Sequence, residues 1–280
     1  MLVTINEVLK PAHKAGYAVG AFNVYNLETA QAVIAAAELE NSPVIMAVSE
    51  KAIEYAGFDN LTALLIEMAE RSKVPVVVHL DHGTNLHTVK KCITCGFSSV
   101  MFDASTLPEN ERIRTTKEIA KFTHKHDIMI EGERDGLAGQ EDDIEGEGRY
   151  TNPETAAVFV EETNIDAFAV SIGNAHGIPT PDEKLDFPRL EQIAKNVAVP
   201  LVLHGASGTP PSQIKQAISL GISKINIDTD LRLSFMATVH DVLINNPELK
   251  DPRKMLTEVK KAMTEVVKTK IRLFGSNGRI

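Results

Sequence analysis

Short apolar runs rich in β-branched residues recur along the chain and alternate with stretches whose apolar positions follow helical spacing. The first half holds AVGAFNV (18–24), SPVIMAVS (42–49), PVVVHLD (75–81) and SSVMFDA (98–104). The second half repeats the rhythm with IMIEGE (128–133), AFAVSIG (167–173), PLVLHG (200–205) and KINIDT (224–229). Runs that are apolar almost throughout suit parallel strands covered on both faces, and segments such as LETAQAVIAAAELEN read as the covering helices. Eight β/α units in 280 residues predict an α/β fold, a single (β/α)8 TIM barrel. An open doubly wound sheet would normally carry a glycine-rich phosphate turn after its first strand, and none follows Val24. No low-complexity linker divides the chain. Residues 1–280 are therefore expected to form one domain, with a C-terminal helical extension from about Asn246.

The formal net charge of −9 argues against a nucleic-acid or anionic-membrane binder, whose surfaces usually carry an excess of Lys and Arg. No apolar run approaches the roughly 20 residues needed to span a bilayer. The N-terminal MLVTINEVLKPAHKAG also lacks the apolar core of a signal peptide, so a cytoplasmic location is expected. Cys92 and Cys95 form a C-x-x-C, but it lies within the helical stretch HTVKKCITCGF and the chain has no further cysteine for a structural zinc site. Both read as helix residues facing the core or their neighbours.

A barrel keeps its active site at the carboxyl ends of its strands, where the βα loops converge. Nearly every predicted end carries a reactive or hydrogen-bonding side chain: Asn23, Ser49, Asp81 with His82, Asp103, Glu133, His176, His204, and then Asn226, Asp228 and Thr229. His82, His176 and His204 follow strands three, six and seven, which brings them to one side of the mouth. Three histidines can hold zinc and leave a position open for substrate. A lone histidine is more often a packed core or surface residue, but three at equivalent strand ends are poorly explained that way. His13, His87, His124, His126 and His240 fall on helices or connections and His79 lies within strand three; these six stay unassigned. Asp103 and Glu133 read either as carboxylates that hold a metal or orient its ligands, or as helix caps and ion-pair partners. The small-residue turns at His176–Gly177 and HGASG (204–208) let backbone N–H groups approach an anion, and NIDTD (226–230) runs into the next helix.

With these residues in place, the chain resembles the class II fructose-bisphosphate and tagatose-bisphosphate aldolase family in its shorter form. The likeness runs from YAVGAFNVYNLETAQAVI to FGSNGRI and rests on HLDHG (79–83), SVMFDAS (99–105), GQEDD (139–143), AHG (175–177), PLVLHGASG (200–208), KINIDTD (224–230) and DPRK (251–254). It implies a metal-dependent aldehyde-lyase, with His82, His176 and His204 as zinc ligands and Asp103 and Glu133 as alternate carboxylates around the metal. Asp81 would donate a proton to the aldehyde oxygen, and Glu141, in a long polar loop, would move the proton on the substrate carbon. Asn23, Ser49, Asn226 and Asp228 would contact substrate. Gly177, Gly205, Ser207 and Thr229 would surround the ketone-side phosphate with the help of a monovalent cation, Na+ or K+. Arg253 would reach the distal phosphate, from a neighbouring subunit of a homodimer or homotetramer. The partner implied is a small sugar phosphate.

Lewis-acid chemistry of this kind requires no Schiff-base lysine, and the one lysine in a predicted strand, Lys224, opens strand eight away from its carboxyl end. Two positions depart from the family pattern. Glu133 is followed by Arg134-Asp135 where Leu-Gly is usual, and Thr180 replaces a lysine found in many fructose-type members. Tagatose 1,6-bisphosphate, or another phosphorylated or sulfonated ketose, therefore stands beside fructose 1,6-bisphosphate as substrate. A zinc hydrolase or isomerase using an activated water, and a metabolite-binding barrel without turnover, are the readings from other classes.

Overall fold

The computed structural model describes residues 1–141, 144–177 and 184–280, with the backbone alone for 140, 141 and 144–147. In chain order the first half runs α1 (Ile5–Ala15), β1 (Val19–Asn23), α2 (Leu27–Glu40), β2 (Val44–Ser49), α3 (Glu50–Ala56), α4 (Phe58–Arg71), β3 (Val76–Gly83), α5 (Leu86–Thr94), β4 (Ser99–Asp103), α6 (Glu109–His124) and β5 (Met129–Glu133). The second half runs β6 (Ala138–Glu141), β7 (Ile144–Glu147), α7 (Pro153–Thr163), β8 (Ala167–Ala169), β9 (Ala175–His176), α8 (Phe187–Asn196), β10 (Leu201–Leu203), α9 (Pro211–Ser219), β11 (Ile222–Ile227), α10 (Thr229–Asn245) and α11 (Pro252–Phe274). Eight of these strands close a parallel barrel in the order β1-β11-β10-β8-β5-β4-β3-β2. No described helix is long and apolar enough to cross a membrane.

The strands alternate between two apolar environments, as side-chain period two requires. Phe22, Met46, Val78, Val100, Ile130, Phe168, Leu203 and Ile225 point outward into the layer shared with the helices. Ala21, Ile45, Val77, Met101, Ala169 and Val202 point into the barrel. The inner cluster also holds Ile5, Val8, Leu9 and Ala12, so the buried face of α1 closes the amino-terminal end of the barrel. The long C-terminal helix α11 forms the expected extension on the flank of the barrel. It packs on α2 and α10, burying Val259, Met263, Val267, Ile271 and Phe274 as part of the outer helical layer.

Two predicted strands are shorter than their apolar runs. Beyond Ala169 the chain turns at Gly173 (φ +98°), and Asn174 donates to the Val170 and His204 carbonyls while accepting from Ile172 N–H. Beyond Leu203 the left-handed Gly205 (φ +58°) turns the chain, where a Cβ would stand 2.2 Å from the Ala175 carbonyl oxygen. Strand eight is shifted, beginning at Ile222 and ending at Ile227, because Thr229 is already the first residue of α10. Lys224 is accordingly its third residue and lies fully buried inside the barrel, not at the strand's opening.

Candidate active site

The inward alternation that buries Val77 on β3 also directs His79 and Asp81 inward, and the strand register extends this rule around the barrel. His79 pairs with Ser99, Asp103 with Glu133, Val202 with Lys224, and Asn226 with Ala21. His82 breaks the alternation. The β3–β4 register shifts between Leu80 and Gly83, and His82 takes a left-handed φ of +46°, which turns its ring into the mouth. Such a conformation costs a non-glycine residue on the order of 1 kcal/mol, and strain of this kind clusters at functional sites.

The three predicted ligand histidines converge. Their ring centroids stand 4.7 Å (His82–His204), 5.2 Å (His82–His176) and 6.2 Å (His176–His204) apart. His82 Nε2 faces His204 Nδ1 at 3.1 Å, and each ring's other nitrogen meets a carboxylate: His82 Nδ1 to Asp103 Oδ2 at 3.1 Å, and His204 Nε2 to Glu131 Oε1 at 2.7 Å. Glu133 Oε2 lies 3.7 Å from His82 Nδ1. Ligating atoms from Asp81, His82 and His204 form one cluster within 4.8 Å, and those of His82, Asp103 and Glu133 form a second.

Asp81 is clamped by two amides: Asn23 Nδ2 donates to Oδ2 at 2.9 Å and Asn226 Nδ2 donates to Oδ1 at 3.0 Å. Burial opposes its charge, but His82, His204, Lys224 and His79 outweigh burial and hold Asp81 well below the usual carboxylate range. Burial likewise opposes charge on His82, yet the Asp103 hydrogen bond and the neighbouring Asp81 and Glu133 hold its pKa well above the ordinary value. Asp103 is lowered to about 2, against burial, chiefly by its bond to His82. Glu133 is pushed well up by burial and by Asp103, because adjacent carboxylates resist ionising together.

Beneath the mouth lies a buried group that the strand-end reading missed. Glu131 joins His204 above to Lys224, whose Nζ is 2.8 Å from Oε2, while His79 Nδ1 bonds Ser99 Oγ at 2.9 Å. Burial and the charge of Lys224 lower the His79 pKa to about 3, so its ring is neutral. The signal for these residues was present as polar alternation, in Glu131/Glu133, His79/Asp81 and Lys224/Asn226. Asn174, just before the A-H-G turn, was also missed; it ties the end of β8 to the His204 carbonyl.

The segment expected to be a long polar loop carrying Glu141 contains two strands. Strands β6 and β7 form a hairpin, and β6 pairs in parallel with β9, placing Gly139 opposite His176. Glu141 ends β6, and its side chain, like Thr180, lies outside the described residues. Ser207 Oγ accepts from Asp230 N–H at 3.2 Å, which packs the turn after His204 against the start of α10. Gly177 is left-handed at φ +93°. Ser49 caps α3 through Ala52 N–H, and with Asn23, Tyr25, Lys51, Tyr55, Arg232 and Met236 it lines a cavity of about 490 Å³ beside the histidine cluster. Asp228 occupies the N-cap position just before α10 and pairs with Arg232. Arg134 and Asp135 pair with each other and Arg134 with Glu109, so the unusual charges cancel locally. Arg253 stands at the surface, its guanidinium bonded to Asp251, and not in the cluster.

The model for the fructose-bisphosphate aldolase class-II family matches residues 3–279. The chain belongs to this family. It is an aldolase, a lyase that breaks and forms a carbon–carbon bond. Fructose-bisphosphate aldolase of Thermus caldophilus is 44% identical across the full length of both chains. The crystal structure of the YdjI aldolase from Escherichia coli K12 is 39% identical, with a TM-score of 0.90 over 100% of this chain and 99% of that one. Membership retires the hydrolase and non-catalytic readings and makes a sugar phosphate the implied partner of the mouth.

Proposed function

We propose that the chain reversibly cleaves fructose 1,6-bisphosphate into dihydroxyacetone phosphate and glyceraldehyde 3-phosphate, with zinc held by His82, His176 and His204. The observation that carries this reading is the 3.1 Å approach of His82 Nε2 to His204 Nδ1. Two nitrogens bound to one tetrahedral zinc at about 2.0–2.1 Å stand roughly 3.4 Å apart, so a small rotation of either ring accommodates the ion. Asp103 and Glu133 supply the second carboxylate-bearing position next to His82. Bound there, zinc would polarise the ketone and stabilise the charge that develops as the bond breaks.

The remaining steps belong to the chain's own groups. In cleavage the ionised Asp81 accepts the C4 hydroxyl proton, and in condensation it returns that proton to the aldehyde oxygen. Its two oxygens are already ordered by Asn23 and Asn226, whose own amide oxygens have no hydrogen-bond partner among the described residues and suit substrate hydroxyls. Glu141, at the end of β6, moves the proton on the substrate carbon. Gly177, Gly205, Ser207 and Thr229 offer backbone and hydroxyl groups to the ketone-side phosphate beside a monovalent cation. The far phosphate enters the cavity next to Ser49, where Lys51 and Arg232 carry the positive charge; Arg253 would act only from another subunit. Exposed apolar residues on α10, among them Leu233, Met236 and Ile244, support a homodimer or homotetramer, and the cytoplasm is the compartment that supplies such substrates.

Side-by-side cleavage assays of fructose and tagatose 1,6-bisphosphate, with and without chelator and after zinc is restored, test the reading. Chelator-sensitive cleavage that zinc rescues supports it, and the ratio of the two kcat/KM values decides the sugar. Failure of fully zinc-loaded protein on both bisphosphates would overturn it.

A further inference from the structure

We propose that Glu131, held by Lys224, is a positioning residue that sets which nitrogen of His204 faces the metal. The proposal rests on the reading of His204 as a ligand, but Glu131 itself belongs to neither ligand cluster.

Glu131, Lys224 and His204 are all buried, on three different strands or strand ends. Lys224 Nζ lies 2.8 Å from Glu131 Oε2 and can only donate. An ammonium buried this deeply requires an ionised counter-group, so Glu131 presents a carboxylate. Its other oxygen, Oε1, therefore accepts from His204 Nε2 at 2.7 Å. The proton is then fixed on Nε2, and Nδ1 is left with a lone pair. That Nδ1 is the atom 3.1 Å from His82 Nε2. His82 is held in the complementary sense, with Asp103 on its Nδ1. Two carboxylates on neighbouring strands thus select opposite nitrogens on two rings, and the two atoms left over are the pair that face each other. The small inward side chains Ala167 and Ala169 on β8 leave room for the long side chains of Glu131 and Lys224 at this level.

An ion pair that merely fills the barrel predicts something else: its removal would change stability and leave His204 and the metal unaffected. The test uses full-length protein labelled with 15N-histidine, comparing wild type with Glu131→Met/Lys224→Met, which removes both charges and leaves neither one stranded. In metal-free wild type, His204 should show a single tautomer protonated at Nε2. In the double variant it should become a mixture, and zinc affinity measured by chelator competition should weaken roughly 10–100-fold. Glu131→Gln/Lys224→Met keeps an oxygen that can accept from Nε2 and should recover part of the affinity; it also serves if the first variant does not fold. Unchanged tautomer and zinc affinity in folded double variants would overturn the positioning role alone. If zinc added to wild type leaves the His204 signals unmoved, His204 is not a ligand, and both the positioning role and the ligand assignment fall.

Discussion

Nε2 of His82 and Nδ1 of His204 stand 3.1 Å apart although 122 residues separate them in the chain. The contact depends on a left-handed backbone at His82, on the turn at Gly205 and on one carboxylate behind each ring. The proposed zinc set of His82, His176 and His204 would be incomplete without either ring. His82→Ala and His204→Ala should each lose bound zinc and lower kcat by at least about 10²–10³-fold, read by metal analysis of the purified proteins alongside cleavage assays. Retained zinc with full activity in either variant would remove that residue from the ligand set.

Asp81→Asn tests the proton step without emptying the site. The side chain keeps its size, so zinc content should be unchanged while kcat falls about 10²–10⁴-fold, the range for losing a general acid–base group. Because Asn23 and Asn226 both donate to Asp81, one of their amides must rotate to meet the new NH2 group. A variant with wild-type kcat would transfer the proton role elsewhere.

The cavity beside Asn23 makes a prediction about the far end of the substrate. Arg232→Met should raise KM for a ketose bisphosphate roughly tenfold, as expected for a charge-assisted contact, with little change for the matching 1-monophosphate. Lys51→Met should act in the same direction. Equal effects on both substrates would show that these residues support the fold or the Asp228 pairing and do not contact the far phosphate.

The two cysteines should differ in reactivity. Burial, reinforced by neighbouring Cys95, pushes the Cys92 thiol up to about 12, and its side chain is fully buried on α5. The thiolate is the reacting form, so at pH 8 a thiol reagent should modify native protein at Cys95 only and both residues after denaturation. Two fast thiols in the native protein would contradict this packing.

Much of the architecture was legible in sequence because parallel barrel strands are buried on both faces and leave apolar runs that no surface segment needs. The ends of β8 and β10 were less legible, since Val170, Ile172 and Ala206 are buried whether or not they belong to a strand; Asn174 and Gly205 decide where pairing stops. The helix that closes the barrel floor, α1, left only a short amphipathic pattern, and the longer C-terminal helix lies on the flank.

The sequence by itself determined the barrel, the family and the strand-end residues, because local periodicity and short motifs encode which side chains meet the mouth. Tertiary structure alone decided which nitrogens of His82 and His204 face each other, that His82 is turned inward where the register shifts, and that Glu131, His79 and Lys224 form a buried polar floor beneath the site. Those outcomes depend on register between strands distant in sequence and on hydrogen bonds across the barrel. The spacing of residues along one strand marks which side chains face inward, but not which of them meet across the barrel.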